Sequence, residues 1–313
     1  MTQKYDVVII GVGPAGMTAA TYASRANLSV MMIDKGIYGG QMNDTAEVEN
    51  YPAFDSILGP DLAEKMYASS TRFGAEYTFG EVQNVIDHGK TKTIVTDDEQ
   101  YEAKVVIVAS GATHRHIGVP GEDKYSGRGV SYCAVCDGAF FKNEQIVVIG
   151  GGDSAVEEAS YLANLAKDVT IVHRRDQLRA SRIAQKRAFD TDNIDFSWNK
   201  RTEEIIGDDE KVTGVKVLDK ISNQESVIKT NGVFIYVGID PNTQGLENLG
   251  ILDEKGWVLT DDNMQTKVPG IYAVGDVRKD SIRQIAAAVG DGAVAGKILF
   301  DYIQSLSDTE IEA

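Results

Sequence analysis

Two cysteines occur in the chain, Cys133 and Cys136, with two residues between them and Asp137 directly after. A pair at this spacing supports thiol–disulfide exchange, in which a thiolate of lowered pKa attacks through a mixed disulfide. It also supports half of a zinc site, which needs two further ligands. His114 and His116 lie upstream, but alternate residues on an extended strand point the same way and are poorly placed for a tetrahedral site. A structural staple is a weaker reading, because closing so short a loop removes little chain entropy. A close pair in an intracellular chain is more often catalytic or metal-binding, and redox exchange fits these residues best. Asp137 can supply and accept the protons that exchange requires; it can equally serve as a turn or capping residue before Gly138.

A second group of residues reads as two sites for dinucleotides. Gly11-Val12-Gly13-Pro14-Ala15-Gly16 follows an apolar run, Tyr5 to Ile10, and precedes a helical pattern from Met17 to Asn27. The first glycine permits a tight turn, the second lets a pyrophosphate approach the backbone, and the third permits close helix–strand packing. The phosphates then sit on a helix N-terminus. The next apolar run, Leu28 to Ile33, ends in Asp34. A carboxylate there accepts ribose hydroxyls and rejects a 2′-phosphate, so this site suits FAD or NAD. The same syntax returns in Gly150-Gly151-Gly152-Asp153-Ser154-Ala155, with a strand at Asp168 to Val172 ending in His173-Arg174-Arg175 and with Arg179 close by. Arginines at that place suit a 2′-phosphate through charge-assisted bonds, which points to NADPH; the bland alternative is a solvated basic run.

Gly275-Asp276 ends a further buried run just ahead of a long helical pattern, Ile282 to Ile303. Ligands bind at the carboxyl ends of such strands. Asp276 can hold a ribityl hydroxyl, and Arg283-Gln284-Ile285 can meet the edge of a flavin; an N-cap and a surface arginine are the alternatives.

The elements that position these residues alternate between strand and helix, with two βαβ units. Glu76 to Tyr101 reads as short antiparallel strands. The fold class is α/β: two Rossmann-like three-layer dinucleotide-binding domains, the NADPH domain inserted into a discontinuous FAD domain. The FAD domain is expected at 1–112 and 245–313, and the NADPH domain at 113–244. A length of 313 residues suits two domains, and 42% hydrophobic residues supply two cores. A net charge of −16 opposes binding to nucleic acid. No targeting signal and no uncharged run long enough to cross a membrane are visible, so a cytoplasmic, membrane-free protein is expected.

Together these motifs resemble the low-molecular-weight thioredoxin reductases of bacteria, the class II members of the FAD/NADPH pyridine nucleotide-disulfide oxidoreductases. The resemblance is carried also by Gly39-Gly40-Gln41, Glu49-Asn50-Tyr51-Pro52, Ala109-Ser110-Gly111-Ala112, Val119-Pro120-Gly121-Glu122 and Gly275-Asp276-Val277-Arg278. It implies FAD near Gly11, Gly13, Pro14, Ala15, Gly16, Asp34, Gly39, Gly40, Gln41, Asn50, Val82, Ala109, Gly111, Gly275, Asp276, Arg283, Gln284 and Ile285. It implies NADPH on Gly150, Gly152, Asp153, Ser154, Ala155, His173, Arg174, Arg175 and Arg179. Cys133, Cys136 and Asp137 become the catalytic residues, with no metal. Thioredoxin becomes the partner, met by Cys133, with Phe140, Phe141 and Arg128 as docking or merely packing residues. A homodimer is implied, and so is rotation of the inserted domain on connectors near Gly118 and Gly238. The alternatives are a related flavoprotein for another acceptor, a ferredoxin-dependent variant, and a redox sensor without turnover.

Overall fold

A computed structural model describes residues 2–45 and 47–311. The chain opens with β1 (Gln3–Ile10), α1 (Pro14–Arg25) and β2 (Val30–Asp34). After a 3-10 turn at Gly40–Asp44 follow β3 (Glu47–Val48), β4 (Ile57–Leu58), α2 (Gly59–Thr71), β5 (Glu76–Phe79), β6 (Val82–Asp87), β7 (Lys92–Thr96) and β8 (Gln100–Val108). It leaves this region through β9 (Ala112–His114). Next come β10 (Val130–Ser131), α3 (Ala134–Asp137), β11 (Gln145–Gly150), α4 (Asp153–Leu162), β12 (Asp168–Val172), α5 (Arg182–Phe189) and β13 (Ile194–Ser197). The hairpin strands β14 (Lys200–Gly207), β15 (Val212–Asp219) and β16 (Glu225–Lys229) precede β17 (Gly232–Tyr236). The chain returns through β18 (Ile239–Pro241) to β19 (Ile271–Ala273) and α6 (Ile285–Ile311).

Two compact units result, Met1–Thr113 with Asp240–Ala313, and His114–Ile239. The second crossing therefore falls before Asp240 rather than at Gly245. The cause is local: Asn242 donates its backbone N–H to Gly111 O at 3.0 Å and its side-chain amide to Ser110 O at 2.9 Å, which ties 240–245 to the first unit.

In the first unit β5, β2, β1 and β8 lie side by side, and β19 adds to β8 in parallel. β6 and β7 extend the sheet antiparallel. β5 departs from the expected antiparallel set: it pairs parallel with β2, Met31 opposite Glu76. Val7 to Ile9 are fully buried, as befits a parallel strand covered on both faces. Small residues let α6 press on α1. A side chain at Gly296 would meet Ala19 O at 2.7 Å and Tyr22 Cβ at 2.8 Å. The helix starts at Ile285, not Ile282, because Arg283 adopts φ +56°, which no helix continues. It runs on past Ile303 to Ile311.

In the second unit β10, β17, β11, β12 and β13 form an all-parallel sheet, and β14, β15 and β16 an antiparallel one. Its core joins Val148, Ile171 and Phe234 of the sheet to Val156, Ala159 and Leu162 of α4. In each unit a parallel strand, β1 or β11, thus ends at a glycine turn that opens a helix.

Candidate active site

The first glycine turn carries α1 with Pro14 in its first turn, where the missing N–H costs nothing. Gly11 has φ +102°, and a Cβ there would strike the Ala109 carbonyl. A Cβ on Gly13 would meet nothing within 4 Å, so the space over the N-terminus of α1 is open to an anion. Asp34 does more than end β2. Its Oδ2 accepts the Val12 N–H at 2.6 Å and its Oδ1 the Gly36 N–H at 3.0 Å, locking the turn. A cavity beside it is lined by Gly11, Asp34, Lys35, Glu81, Val82 and Asn242. Val82 was expected there; Lys35, Glu81 and Asn242 carry no local motif.

Gln41 donates to Ala112 O at 2.5 Å, and Asn50 to Gln284 Oε1 at 3.2 Å. Gly39 sits at φ +111°, starting the 3-10 turn that presents Gln41. Asp276 stands in a turn whose Gly275 N–H is held by Asp291 Oδ2 at 3.0 Å. Asp291 is itself paired to Arg278 at 2.7 Å. Asp276 Oδ1 and Arg283 Nε are buried without a hydrogen-bond partner. Burial raises the Asp276 pKa, against the lowering effect of Arg283. The Arg283 guanidinium lies 4.5 Å over the Trp257 ring. Buried unpaired acceptors and donors cost about 1–3 kcal/mol each. An open glycine cradle, the Asp34 carboxylate at the end of β2 and these two orphaned atoms fit a flavin dinucleotide. Asp276→Ala should therefore weaken FAD binding about tenfold to a hundredfold while raising the melting temperature of the flavin-free protein. Fluorescence titration with FAD and calorimetry of the stripped protein check both; unchanged affinity would remove Asp276 from the site.

The second glycine turn is braced differently. Gly152 opens α4, and a Cβ on it would meet nothing within 4 Å. His173, 4% exposed, lies against Gly151, where any side chain would collide with the imidazole. Burial pushes the His173 pKa down, and its Nε2 has no hydrogen-bond partner. His173 thus packs inside the turn instead of facing outward with the arginines. Arg179 donates its backbone N–H to Gly151 O at 2.7 Å, and Asp153 Oδ1 accepts the Ser181 N–H at 2.7 Å. The basic loop is tied to the turn at both points. The side chains of Arg174, Arg175 and Arg179 are exposed and make no ion pair among the described residues. Ser154 is exposed and Ala155 buried.

Cys133 and Cys136 form a disulfide. Cys133 caps α3, and its Sγ accepts the Cys136 N–H at 3.2 Å. The Ala134 N–H donates to Tyr236 Oη of β17 at 2.7 Å. Gly138 lets the loop settle on α4, since a Cβ there would lie 2.9 Å from Leu162. Burial raises the Asp137 pKa, and the Ser131 hydroxyl opposes that rise from 2.5 Å. Burial and the charge of Glu158 also hold the Tyr236 phenol well above its ordinary value. The two histidines do not share a strand, since β9 ends at His114 and His116 lies beyond it, yet both pack on Tyr132, at 5.3 and 5.4 Å. Tyr132 donates to Glu122 Oε1 at 2.7 Å, and Glu122 holds the N–H groups of Ile117 and Gly118. Ser131 and Tyr236 carry no sequence motif, and Glu122 enters the sequence reading only as part of Val119-Pro120-Gly121-Glu122, without a role. Their partners lie far along the chain or behind no recognisable spacing.

A redox disulfide with a buried acid, on an all-parallel sheet with a dinucleotide turn, defines a flavin- and nicotinamide-linked disulfide reductase. The chain matches the family described as pyridine nucleotide-disulphide oxidoreductase over residues 5–292, and it belongs to that family. It is 55% identical to the thioredoxin reductase of Listeria monocytogenes, over 99% of this chain and 97% of that one. It is 55% identical to the thioredoxin reductase of Bacillus subtilis, over 97% and 96%. The crystal structure of thioredoxin reductase from Streptococcus pyogenes superposes with a TM-score of 0.95 at 53% identity, covering 97% of this chain and 100% of that one. FAD and NADPH are the cofactors of this group. Among the described residues no helix is long and apolar enough to cross a membrane.

Proposed function

We propose that the chain is an NADPH-dependent reductase of protein disulfides whose substrate is thioredoxin. The carrying observation is the Cys133–Cys136 disulfide at the cap of α3, with the buried carboxyl of Asp137 hydrogen-bonded beside it. FAD belongs in the first unit on the Gly11 turn, Asp34 and Asp276, and NADPH in the second on the Gly152 cradle, Arg174, Arg175 and Arg179. The net reaction is NADPH plus H⁺ plus a disulfide giving NADP⁺ plus two thiols. Bound FAD supplies two-electron transfer between the nicotinamide and the disulfide.

The chain's own residues then perform the exchange. The Cys133 thiolate attacks one sulfur of the substrate disulfide, that S–S bond breaks, and the leaving thiolate takes a proton. The Cys136 thiolate attacks Cys133 in the mixed disulfide, re-forming the internal bond and releasing the second thiol. Asp137 is the acid that handles these protons. A raised pKa keeps it protonated to higher pH than an exposed aspartate. The inserted unit turns on its connectors between the two half-reactions. A homodimer is supported by Tyr22 and Phe300, exposed apolar residues of α1 and α6. A reducing, cytoplasmic setting suits a chain whose only cysteines are a catalytic pair.

A purified protein that is yellow and consumes NADPH, not NADH, only when oxidised thioredoxin is present meets this reading; thioredoxin-independent turnover sinks it. Asp137→Asn adds a stability readout. A carboxyl whose folded pKa exceeds its unfolded value destabilises the fold progressively as pH rises from the unfolded value through the folded one. That cost grows from the unfolded value upward, and the neutral amide removes it. Asp137→Asn should lower thioredoxin reduction about a hundredfold yet raise the melting temperature at pH 7, with the gain vanishing near pH 3. A melting curve that falls at neutral pH contradicts the burial argument.

A further inference from the structure

We propose that Ser131 is a positioning residue for the acid: its hydroxyl binds Asp137 Oδ2 and leaves Oδ1 as the oxygen that carries the transferable proton. The inference rests on the disulfide-reductase reading given above.

Ser131 ends β10, is 5% exposed, and is held in register opposite Phe234 of β17. Its hydroxyl has one proton and two acceptor lone pairs. The Cys133 N–H donates to Oγ at 3.1 Å, which occupies one of the two acceptor lone pairs. The single proton has two possible acceptors, Asp137 Oδ2 at 2.5 Å and Cys133 O at 3.3 Å. Bonds from hydroxyl to carboxylate run to about 2.5–2.7 Å and are roughly twice as strong as neutral ones, so the carboxylate takes it. Cys133 O is engaged elsewhere, by the Asp137 N–H at 3.1 Å. The hydroxyl is therefore locked between the backbone of the redox cysteine and one oxygen of the acid.

Two consequences follow for proton transfer. With Oδ2 bound by a donor, the proton resides on Oδ1. When Asp137 gives that proton to a cysteine thiolate, the Ser131 bond stabilises the carboxylate left behind, and solvent returns the proton before the next turnover. Ser131 thus sets the strength of the acid against the desolvation that weakens it. The other titratable group facing Asp137 is Tyr236 from β17, with Glu158 of α4 acting on Tyr236 in turn. Burial opposes ionisation of Asp137, and the serine hydroxyl is the neighbour that favours it.

The test compares wild type, Ser131→Ala and Ser131→Thr as full-length flavoproteins. Losing the hydroxyl should move the alkaline limb of kcat for thioredoxin reduction up by about one pH unit. Threonine should restore the wild-type limb. NADPH oxidation by ferricyanide, which does not need the cysteine pair, should stay within twofold throughout. An unshifted limb in Ser131→Ala overturns the assignment. A second measurement needs no turnover: the Asp137 carboxyl band, isolated by infrared difference against Asp137→Asn, is titrated in the oxidised protein. A higher midpoint in Ser131→Ala supports the assignment and an equal midpoint overturns it, even if wild type fails to reduce thioredoxin, a result that would sink the proposed substrate alone. If the alanine variant does not fold, Ser131→Thr decides: a wild-type midpoint supports the role of the hydroxyl, and a displaced one overturns it.

Discussion

Cys136→Ser protein is expected to reduce thioredoxin at least about a thousandfold more slowly than wild type while NADPH still bleaches its flavin absorbance. The variant lacks both the internal disulfide that accepts electrons and the thiol that resolves a mixed disulfide, so one substitution blocks two steps. Cys133 remains competent to attack and should trap thioredoxin as a covalent adduct visible on a non-reducing gel. Neither nucleotide turn depends on the pair, since Gly11, Gly13, Gly150 and Gly152 are positioned by β1 and β11. The fold should survive as well, because the loop closed by the disulfide spans a sequence separation of 3 and contributes little to stability. Bleaching lost together with reduction would mean that the pair supports the cofactor sites instead of receiving their electrons.

The second large effect concerns Arg174 and Arg175. Replacing both with alanine should raise KM for NADPH about a hundredfold to ten-thousandfold and leave KM for NADH unchanged. Each charge-assisted bond to a phosphate is worth about 1.5–3 kcal/mol, or roughly one to two factors of ten. Both side chains are exposed, so packing is not disturbed and kcat at saturating NADPH should change little. An equal loss with both nucleotides would locate the defect in the turn. The brace by His173 and by the Arg179 N–H makes that outcome a real alternative, since distortion there would disturb the pyrophosphate seat common to the two.

Much of the site was legible because its requirements are local. A glycine at position 11 is demanded by its own backbone angle and by the carbonyl of Ala109, and the strand that precedes it and the acid that ends β2 lie within one βαβ unit. The pair Cys133–Cys136 needs only its spacing. What could not be read depends on distant partners. The bond from the Ala134 N–H to Tyr236 spans 102 positions, and no pattern near the cysteines signals it. Arg283 was expected at a helix start, yet it occupies a left-handed conformation over Trp257; propensity alone favours extending the helix through it. β5 reads as another antiparallel strand because pairing direction is decided by tertiary connection, not by composition. His173 reads as a ligand beside arginines, and only the sheet geometry reveals that its ring points beneath Gly151.

The interrupted path of the first unit orders the birth of the molecule. The second unit is contiguous, His114–Ile239, so all of its strands are available once those residues have left the ribosome. The first unit begins earlier but cannot close: β8 keeps part of its edge free until β19 arrives, and α1 waits for α6 to cover it. Pairings of such long sequence separation form slowly, and an open parallel edge is prone to wrong association meanwhile. The residues translated first are among the last to reach their final packing, after a domain that interrupts them has already folded.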